Sequence, residues 1–503
     1  MRIPTLKELT QFRATHDGAF MPVQVLKHQS SIRDDRRIII VGGGFAGITM
    51  AWLLERRGFQ NISILESENR IGGKIYSYTQ NNIPHELGAC YTQPAYHSVH
   101  ELLNIFNLRN QIGVAGRMVH RDSGTILPFG EDVIAQIRGT MGGLWKHLPD
   151  KAIGLRVILE LQRYKRIHRR LLGSYSGQMP PRPPEDVLHD LSIPFLGWLK
   201  FHRLEILIPI FRLFQSAQGY GYLETIPAFY GLMWNTPEVI DIATQQMSGR
   251  GKGAALLKAG MSSLLKAMTN EMNTEIHQGK KVTQIHRSES IRVETVSATD
   301  QIEVWEADQL IIAAPHKPLL STINNPTTLE TELISSLVAS RMTTTLQSSI
   351  QPSREKIDSW FDNLLPGRDH RVITQRCSKA FIAPEQFESS PKSSPIERVV
   401  YQYGEEEVDD SVVVQRYEQH QESQGVQEHE VIKRCHWPSY FPHWTAQGIS
   451  DGNPWRLLNM QGMNNTWWIG SSACFESIND VFEYNLRICD VHIDQHATRR
   501  LQR

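Results

Sequence analysis

Residues 36–74 constrain the fold of this chain more than any other stretch of its 503 residues. An apolar run of strand length, Ile38–Val41, leads into a Gly-x-Gly-x-x-Gly pattern at residues 42–47. A helix-patterned stretch follows, and a second apolar run, Ile62–Leu65, ends at the acid Glu66. This order of strand, glycine turn, helix, strand and acid is typical of a dinucleotide-binding βαβ unit. The sequence therefore predicts an α/β fold built on a Rossmann-type domain.

The three glycines and the acid have separate physical tasks in such a unit. Gly42 allows the tight turn, Gly44 lets the backbone approach a pyrophosphate, and Gly47 lets helix and strand pack closely. The helix N-terminus supplies free N–H groups and a partial positive charge to the phosphates. Glu66 ends the second strand, where its carboxylate can accept hydrogen bonds from a ribose. A glycine-rich turn without a ligand is the weaker alternative.

A second glycine pair, Gly72-Gly73, follows soon after the acid and is flanked by the cations Arg70 and Lys74. It places more flexible backbone beside the same pyrophosphate. Nicotinamide-binding units do not usually need this addition, so the pair favours FAD as the cofactor. Either cation can offset phosphate charge.

The stretch from Glu66 to Lys74 resembles the signature that opens FAD-binding domains of the flavin amine oxidase superfamily: acid, x-x-x-Arg, apolar, Gly-Gly, basic residue. The resemblance implies that Leu87-Gly88-Ala89 passes the flavin and that Val282 lies beside the adenine. It also implies that a buried strand opened by Asp308 ends at Ala313-Ala314-Pro315 in the FAD domain.

The C-terminal part of the chain supplies a matching signature. Residues 466–470 form a short apolar stretch ending in glycine, and a helix is predicted from about Glu476 to Asp490. In the wider family the N-terminus of such a helix points at the flavin N1–C2=O edge, where it stabilises the negative charge of the reduced ring. Ser471 stands where an acid is usual, so one expected carboxylate is missing.

Within the superfamily, three segments resemble a narrower group that includes polyenoic fatty acid isomerases and β-cyclopiazonate dehydrogenase. His436–His443 and Gln461–Gly470, with Phe475-Glu476 after them, match the group's "W-x-Y-F-P … Q-G-x-x-x-T-x-Y-x-G-E … F-E" ending. Gln218–Tyr222 is similar to its mid-chain segment.

The motifs and the resemblance together predict a non-covalent FAD site. No cysteine stands in the local setting that covalent attachment uses in the family, with Cys474 the nearest to an exception. The predicted cofactor-binding residues are Gly42, Gly44, Phe45, Ala46, Gly47, Glu66, Ser67, Arg70, Gly72, Gly73, Lys74, Gly88, Ala89, Cys90, Val282, Ala314, Gly470, Ser471 and Ile478.

The predicted domains are interleaved along the chain. A Rossmann-type FAD-binding domain and an α+β substrate domain alternate, and residues 130–235 of the latter are mostly helical, broken by an exposed Pro-rich linker at 177–186. A glycine cluster at 249–253 lacks P-loop spacing and precedes a helix predicted for Ala254–Met268. The boundaries are 1–35 for an N-terminal extension, 36–115, 250–320 and 455–495 for the FAD domain, and 116–249 and 321–454 for the substrate domain.

Charge and cysteine usage restrict the partners and the setting. The 53 basic and 53 acidic residues balance, so no global field favours nucleic acid or an anionic membrane. The five cysteines are scattered, without metal spacing or a disulfide framework, which indicates a reducing compartment. No metal site, signal peptide or membrane-spanning window is predicted, and the expected location is cytoplasmic. The oligomeric state is not predicted.

The flavin itself would do the chemistry, by hydride transfer between the substrate and its N5 atom. The protein must exclude water and position the donor carbon, and aromatic side chains suit both tasks. No catalytic residue is fixed by a motif; Tyr91, Tyr220 and Tyr440 are candidates. The aromatic residues in segments expected to face the ring are Tyr91, Tyr220, Tyr222, Trp234, Tyr440 and Phe441.

The predicted function is FAD-dependent hydride transfer on a small hydrophobic substrate, an unsaturated acyl chain or a secondary-metabolite skeleton. The enzyme would act as a dehydrogenase or oxidase, or as a double-bond isomerase. An amine or amino-acid oxidase and a flavin-binding protein without catalysis are the alternatives. A basic segment, Leu155–Leu172, is interpreted as an ordinary surface helix. The second interpretation is a surface that attracts acyl carboxylates or makes weak interfacial contact with a membrane.

Overall fold

The structure is a computed structural model that describes residues 34–113, 117–119, 125–140, 146–173, 179–247, 253–288, 290–426 and 428–493. Almost all of the N-terminal extension predicted for residues 1–35 lies outside the described part. So does most of the glycine cluster at 249–253.

The strands of the described residues are numbered in chain order. They are β1 (Asp34–Val41), β2 (Phe59–Leu65), β3 (Ser77–Gln80), β4 (Ile83–Glu86), β5 (Tyr91–Thr92), β6 (Gln111–Gly113), β7 (Arg117–Val119), β8 (Ile126–Pro128), β9 (Ala255–Leu257), β10 (Glu275–His277), β11 (Lys281–Arg287), β12 (Ile291–Val296), β13 (Ile302–Ala307), β14 (Gln309–Ile312), β15 (Leu337–Ile350), β16 (Ile357–Trp360), β17 (Arg371–Arg376), β18 (Ile396–Gly404), β19 (Glu428–Trp444) and β20 (Thr466–Trp468).

The α-helices are numbered in the same way. They are α1 (Phe45–Arg56), α2 (His97–Ile105), α3 (Phe129–Thr140), α4 (Asp150–Leu172), α5 (Glu185–Ser192), α6 (Phe195–Phe201), α7 (Ile208–Gln215), α8 (Ala228–Trp234), α9 (Pro237–Met247), α10 (Ser262–Glu271), α11 (His316–Leu320), α12 (Thr328–Ser335), α13 (Ser378–Ile382), α14 (Pro384–Ser389), α15 (Asp410–Ser423), α16 (Ala446–Ser450), α17 (Asn453–Met460) and α18 (Ile478–Arg487). A π-helical segment, Ile488–Ile493, continues α18.

A five-stranded sheet with the order β10-β2-β1-β14-β20 carries the N-terminal motif, and its strands pair in parallel. Ile40 in β1 lies opposite Ile64 in β2 and Ile311 in β14, and all three are fully buried. A parallel sheet covered on both faces needs such continuous apolar strands. Helix α1 packs against α10 and α18 beside this sheet. The predicted Rossmann-type α/β fold is confirmed.

A second, seven-stranded sheet has the order β19-β15-β18-β17-β16-β7-β8. Its pairs are antiparallel except for β16 with β7. The sheet therefore joins residues 117–128 with residues 337–444. Its strands come from both segments predicted for the substrate domain, and the strands of the parallel sheet come from those predicted for the FAD domain. The exact domain boundaries stay a prediction.

Helices α3–α9 follow one another in the chain between strands β8 and β9, as expected for the mostly helical residues 130–235. They are called the helical layer. One hydrophobic core connects this layer with the parallel sheet, since Trp198 and Phe211 belong to the same buried cluster as Ile40. No helix within the described ranges combines the length and the apolar character needed to cross a bilayer.

One local prediction is wrong and one is wrong in part. In the Pro-rich linker, Met179, Pro180 and Pro183 are buried, whereas Arg182 and residues 184–186 are exposed as predicted, and residues 177–178 lie outside the described part. Trp455 Nε1 donates to the Pro180 carbonyl at 2.7 Å, so tertiary contacts fix the extended segment in place. The helix predicted from Ala254 begins only at Ser262, because residues 255–257 pair as strand β9 with β5 and β6.

Candidate cofactor and substrate site

The glycine turn after β1 is packed so tightly that two of its glycines cannot carry a side chain. Gly42 has φ +110°, and a Cβ there would lie 2.8 Å from the Ala314 nitrogen. A Cβ on Gly47 would lie 2.0 Å from the Gly42 carbonyl oxygen. Both distances are far below van der Waals contact. Gly42 and Gly47 are therefore required by the turn itself, with or without a ligand.

Gly44 is different, because the space beside it is open. It is the N-cap of α1, and no side chain caps this helix. A Cβ on Gly44 would meet nothing nearer than the Gly73 Cα at 3.7 Å. Gly72 lies alongside and donates its N–H to the Gly43 carbonyl at 2.8 Å. An uncapped helix N-terminus facing flexible backbone fits an anionic group such as a pyrophosphate.

Glu66 closes the turn from the side of β2. The residue is 6% exposed, and its Oε2 accepts from the Gly43 N–H at 2.7 Å. Its Oε1 accepts from the Glu68 N–H at 2.7 Å and from the Ser67 hydroxyl at 3.2 Å. The carboxylate thus anchors the turn and keeps lone-pair capacity for a ribose hydroxyl. The Glu66 carbonyl accepts from Lys280, which places the buried Val282 near this end of the site.

The two predicted cations lie in different places. The Arg70 guanidinium donates to the Gly73 carbonyl at 3.0 Å and lies 4.4 Å from the centroid of the Tyr76 ring. The Lys74 side chain points toward strand β19, where its ammonium donates to the carbonyls of Ser439 and Tyr440 at 3.1 and 2.9 Å. Arg70 therefore holds the glycine pair in shape, while Lys74 ties it to strand β19.

Lys74 also makes the central polar contact of the site. Its ammonium lies 3.0 Å from the Ser471 hydroxyl and 2.5 Å from Glu476 Oε1. Burial raises the pKa of the Glu476 carboxyl to about 7, against the opposing pull of Lys74. The second carboxylate oxygen, Oε2, is buried and accepts no hydrogen bond from the described residues. A bound polar ligand could donate a hydrogen bond to this oxygen.

Sequence reasoning did not identify Glu476 as a site residue. It lies in the Phe475-Glu476 pair of the C-terminal motif, which was the available signal. The chain lacks an acid at Ser471, yet the fold brings the Glu476 carboxylate to the same lysine as the Ser471 hydroxyl.

The segment Gly88-Ala89 passes close to Lys74 along the backbone. Ala89 donates its N–H to the Lys74 carbonyl at 2.8 Å, and a Cβ on Gly88 would lie 1.9 Å from the same oxygen. Gly88 therefore permits a backbone-to-backbone approach. The segment then leads directly to Cys90 and Tyr91.

The remaining predicted cofactor residues lie against the N-terminus of α1. The Ala314 N–H donates to the Val41 carbonyl at 2.9 Å. A Cβ on Gly470, where φ is +87°, would lie 3.3 Å from the Ala46 Cβ. Ile478 begins α18, and the Ser477 hydroxyl caps that helix by accepting from the Asp480 N–H at 3.1 Å. The fold thus brings the N-terminal glycine motif and the C-terminal signature together.

An aromatic cluster adjoins Lys74 and Glu476. Tyr220 contacts Trp234, Phe441 and Phe475, with ring centroids 4.8, 5.5 and 5.1 Å apart. Trp234 stacks on Phe475 at 5.8 Å, and Tyr440 lies parallel to Tyr220. Four of the predicted ring-facing aromatics are therefore neighbours, and Phe475 is an unpredicted fifth.

Tyr222 and Tyr91 lie outside this cluster. Tyr222 packs on Tyr403 at 5.2 Å in a separate apolar cluster. Tyr91 lies near the guanidinium of Arg376, whose carbon is 5.4 Å from the Tyr91 ring centroid and 5.4 Å from that of Tyr401. Arg376 is 1% exposed and donates to the Glu86 carbonyl at 3.1 Å. No local pattern could have revealed it, since it comes from β17, far along the chain.

The candidate tyrosines lie in poorly solvated surroundings. Tyr91, Tyr220 and Tyr440 are each partly accessible, as is Cys90. Burial nevertheless raises the pKa of Tyr91 to about 12 and the pKa values of Tyr220 and Tyr440 well above the ordinary value. Loss of solvent disfavours the charged form of a phenol. The three phenols are therefore neutral at physiological pH.

The described residues contain no group of three or more potential metal ligands. The polar chemistry of the site is therefore that of Lys74, Glu476 and the backbone at the two glycine motifs.

Comparison with known proteins places this geometry in a family. The model of the family "Flavin containing amine oxidoreductase" matches residues 45–347. Polyenoic fatty acid isomerase from Ptilota filicina is 22% identical, with 89% of this chain and 93% of that protein covered. Bovine amine oxidase B is 27% identical over a shorter stretch, 22% of this chain and 19% of that protein.

Solved structures share the architecture along nearly the whole chain. The crystal structure of a CLA-producing fatty acid isomerase from P. acnes superposes with a TM-score of 0.71 at 21% identity, covering 91% of this chain and 99% of that one. Because the family model covers more than half of the chain, the protein belongs to the flavin-containing amine oxidoreductase family.

Proposed function

We propose that this protein is an FAD-dependent enzyme that removes a hydride from an unsaturated fatty acyl chain. The observation that carries the proposal is the cluster of aromatic side chains next to Lys74 and Glu476, in the same site as an uncapped helix N-terminus and an acid directly after β2. When bound, FAD would supply a hydride acceptor at its ring.

Different residues would hold the different parts of FAD. The N–H groups at the start of α1 and the backbone at Gly72-Gly73 would hold the pyrophosphate. Glu66 would bind the adenosine ribose, with Val282 beside the adenine. Glu476 Oε2 would accept from a hydroxyl of the ribityl chain or from the ring edge, in place of the acid that is absent at Ser471.

Non-covalent binding is supported by the two thiols near the site. Burial raises the pKa of the Cys90 thiol, and it raises that of Cys474 well above its ordinary value. Both are therefore protonated thiols, and a thiolate is the reactive form of cysteine. None of the five cysteines forms a disulfide.

The aromatic cluster favours an apolar acyl chain over an amine caged between two rings. Tyr220 and Tyr440 are nearly parallel, at 9°, with centroids 6.3 Å apart. A group held between two rings needs about 7–8 Å, twice the optimal carbon–carbon contact distance of about 3.5–4.0 Å. This pair therefore leaves no space for a group between its two rings. An amine or amino-acid oxidase remains the alternative within the family.

The aromatic cluster has two tasks in the proposed reaction. It excludes water from the carbon that loses the hydride, and it keeps the apolar chain extended beside the cofactor. Return of the hydride to another carbon of the chain would give a double-bond isomerase. Loss of a proton from the neighbouring carbon to solvent, with transfer of the hydride electrons onward to an acceptor, would give a dehydrogenase. The names of the Ptilota filicina and P. acnes relatives support the isomerase.

The test is product analysis with a polyunsaturated fatty acid whose double bonds are methylene-interrupted. A conjugated product of unchanged mass is expected from the isomerase, and a product two hydrogens lighter from the dehydrogenase. Gly44→Val, which should fold without FAD, is the control. Release of hydrogen peroxide with amines, and no change in the fatty acid, would overturn the proposal.

A further inference from the structure

Helix α4 presents an apolar face to solvent. Leu155 and Leu159 are 60% and 61% exposed, and Ile158 between them is 45% exposed. Their spacing of three and four residues places them on one side of the helix. Leu155, Ile158, Leu159 and the cations of the same side, Lys151, Arg166, Arg169 and Arg170, are called the α4 face.

The α4 face is fixed in its outward orientation by the buried side of the helix. The Tyr164 hydroxyl donates to the Asn235 carbonyl at 2.6 Å, and His168 Nε2 donates to the Leu232 carbonyl at 3.0 Å. Lys165, 5% exposed, forms an ion pair with Asp241. Rotation that would bury the leucines would break these contacts, so their exposure is a property of the packed helix.

The α4 face carries a net positive charge. The two acids of α4 are used in ion pairs, Asp150 with Arg138 and Glu160 with Arg163 at 3.5 Å. Arg166, Arg169 and Arg170 form a basic end beyond the leucines. Apolar side chains followed by cations on one helix face are the pattern of helices that lie in the interface of an anionic membrane.

An exposed aromatic residue lies near α4 in the fold. Phe201, at the end of α6, is 72% exposed. It lies two residues before Arg203, whose carbonyl accepts from Arg163 of α4 at 3.4 Å. Lys200 and Arg203 are exposed on either side of it. Glu205 is the exposed acid nearby, so the local balance stays cationic.

We propose that the α4 face, with Phe201, is a docking surface for the anionic phospholipid surface of a membrane. The leucines and Phe201 enter the acyl boundary, and the arginines contact the headgroups. Helix α8 supplies Trp234 to the aromatic cluster of the proposed substrate site. A protein held on a membrane in this way meets apolar substrate where it is concentrated.

The test is co-sedimentation of the full chain with vesicles of phosphatidylcholine alone or of an equal mixture of phosphatidylcholine and phosphatidylglycerol. Strong binding to the mixed vesicles, weak binding to the neutral ones and release by high salt are expected. Leu155→Ser with Leu159→Ser should weaken binding about tenfold or more. Arg166→Gln, Arg169→Gln and Arg170→Gln together should remove the preference for anionic vesicles.

The matched control is Ile302→Ser with Val304→Ser, two residues of β13 that are 71% and 49% exposed. This variant should bind vesicles like the wild type. Flavin content and the unfolding temperature should be the same for all variants, because the changed residues are exposed. Wild type that binds neither vesicle, or α4 variants that bind as well as wild type, would overturn the proposal. A shift in oligomeric state by light scattering, with vesicle binding unchanged, would assign the face to a second copy instead.

Discussion

The two ends of the site are built in different ways. The proposed nucleotide end is formed mainly by residues close together in the chain, with Gly42, Gly44 and Gly47 in one turn and Glu66 directly after the next strand. Ala314 and Gly470 join it from distant segments. The substrate end collects side chains from distant segments, such as Tyr220, Tyr440 and Phe475. The first end depends on backbone geometry and the second on packing between separate elements. Substitutions should therefore act differently at the two ends.

The largest effect is expected where backbone contact leaves no space. Gly47→Ala places a Cβ 2.0 Å from the Gly42 carbonyl oxygen, so helix α1 must shift from β1. Overpacking of this kind costs about 1–3 kcal/mol or more of unfolding free energy. Denaturant unfolding should show this loss, together with loss of flavin. Gly47→Ala with wild-type stability would show that the turn is not as tight as described.

Gly44→Val separates ligand binding from folding. The space beside Gly44 holds no protein atom within 3.4 Å of a Cβ, so the protein should fold with nearly wild-type stability. The branched side chain would fill the place proposed for the pyrophosphate, and FAD binding should be lost. Flavin absorbance and the unfolding curve of the same sample measure both. Full flavin occupancy would show that the nucleotide site lies elsewhere.

At the other end, Glu476 should make stability depend on pH. Its folded-state pKa, about 7, lies above the ordinary 4.5, so the folded protein holds the proton more tightly than the unfolded chain. Ionisation then opposes folding: the cost is absent below about pH 4.5 and complete above about pH 7. It amounts to about 3–4 kcal/mol, since one pKa unit is about 1.4 kcal/mol.

The measurement compares unfolding free energies of wild type and Glu476→Gln at pH 5 and pH 8. Relative to the variant, the wild type should lose stability as the pH rises. Glu385→Gln, at an exposed helical position, is the control and should follow the wild type. If the unfolding free energies of wild type and Glu476→Gln changed equally with pH, the raised pKa of the buried Glu476 carboxyl would be contradicted.

Glu66→Ala should have an intermediate effect on FAD affinity. It removes the ribose acceptor and the partner of the Gly43 N–H, so binding should weaken by roughly 1–3 kcal/mol. Titration of the apoprotein with FAD measures this. An unchanged dissociation constant would remove Glu66 from the cofactor site.

The smallest effect is expected for Tyr440→Phe. The phenol donates to the Gln218 carbonyl at 2.7 Å, and its loss should cost about 1 kcal/mol of stability. Because the neutral phenol is proposed as part of the aromatic cluster and not as a base, the catalytic rate should change little. A large fall in kcat at unchanged flavin content would instead make Tyr440 a catalytic residue.

The same contrast explains what the sequence could predict. The strand–glycine–helix–strand–acid order is local, so the parallel fold, Gly42 and Glu66 follow from pattern alone. Arg376 and Glu476 acquire their surroundings only when β17 and the C-terminal loop pack against residues 74–91. Strand β9 is also non-local, since pairing with β5 and β6 overrides the helical pattern at residues 255–257.

One measurement tests the central claim, that FAD in the dinucleotide site accepts electrons from an acyl chain bound at the aromatic cluster. The purified flavoprotein is mixed anaerobically with a methylene-interrupted polyunsaturated fatty acid and, separately, with excess NADPH, while the flavin absorbance is followed. The account predicts a rapid change in flavin absorbance with the fatty acid and none with NADPH. Rapid bleaching by NADPH, with no response to the fatty acid, would contradict it.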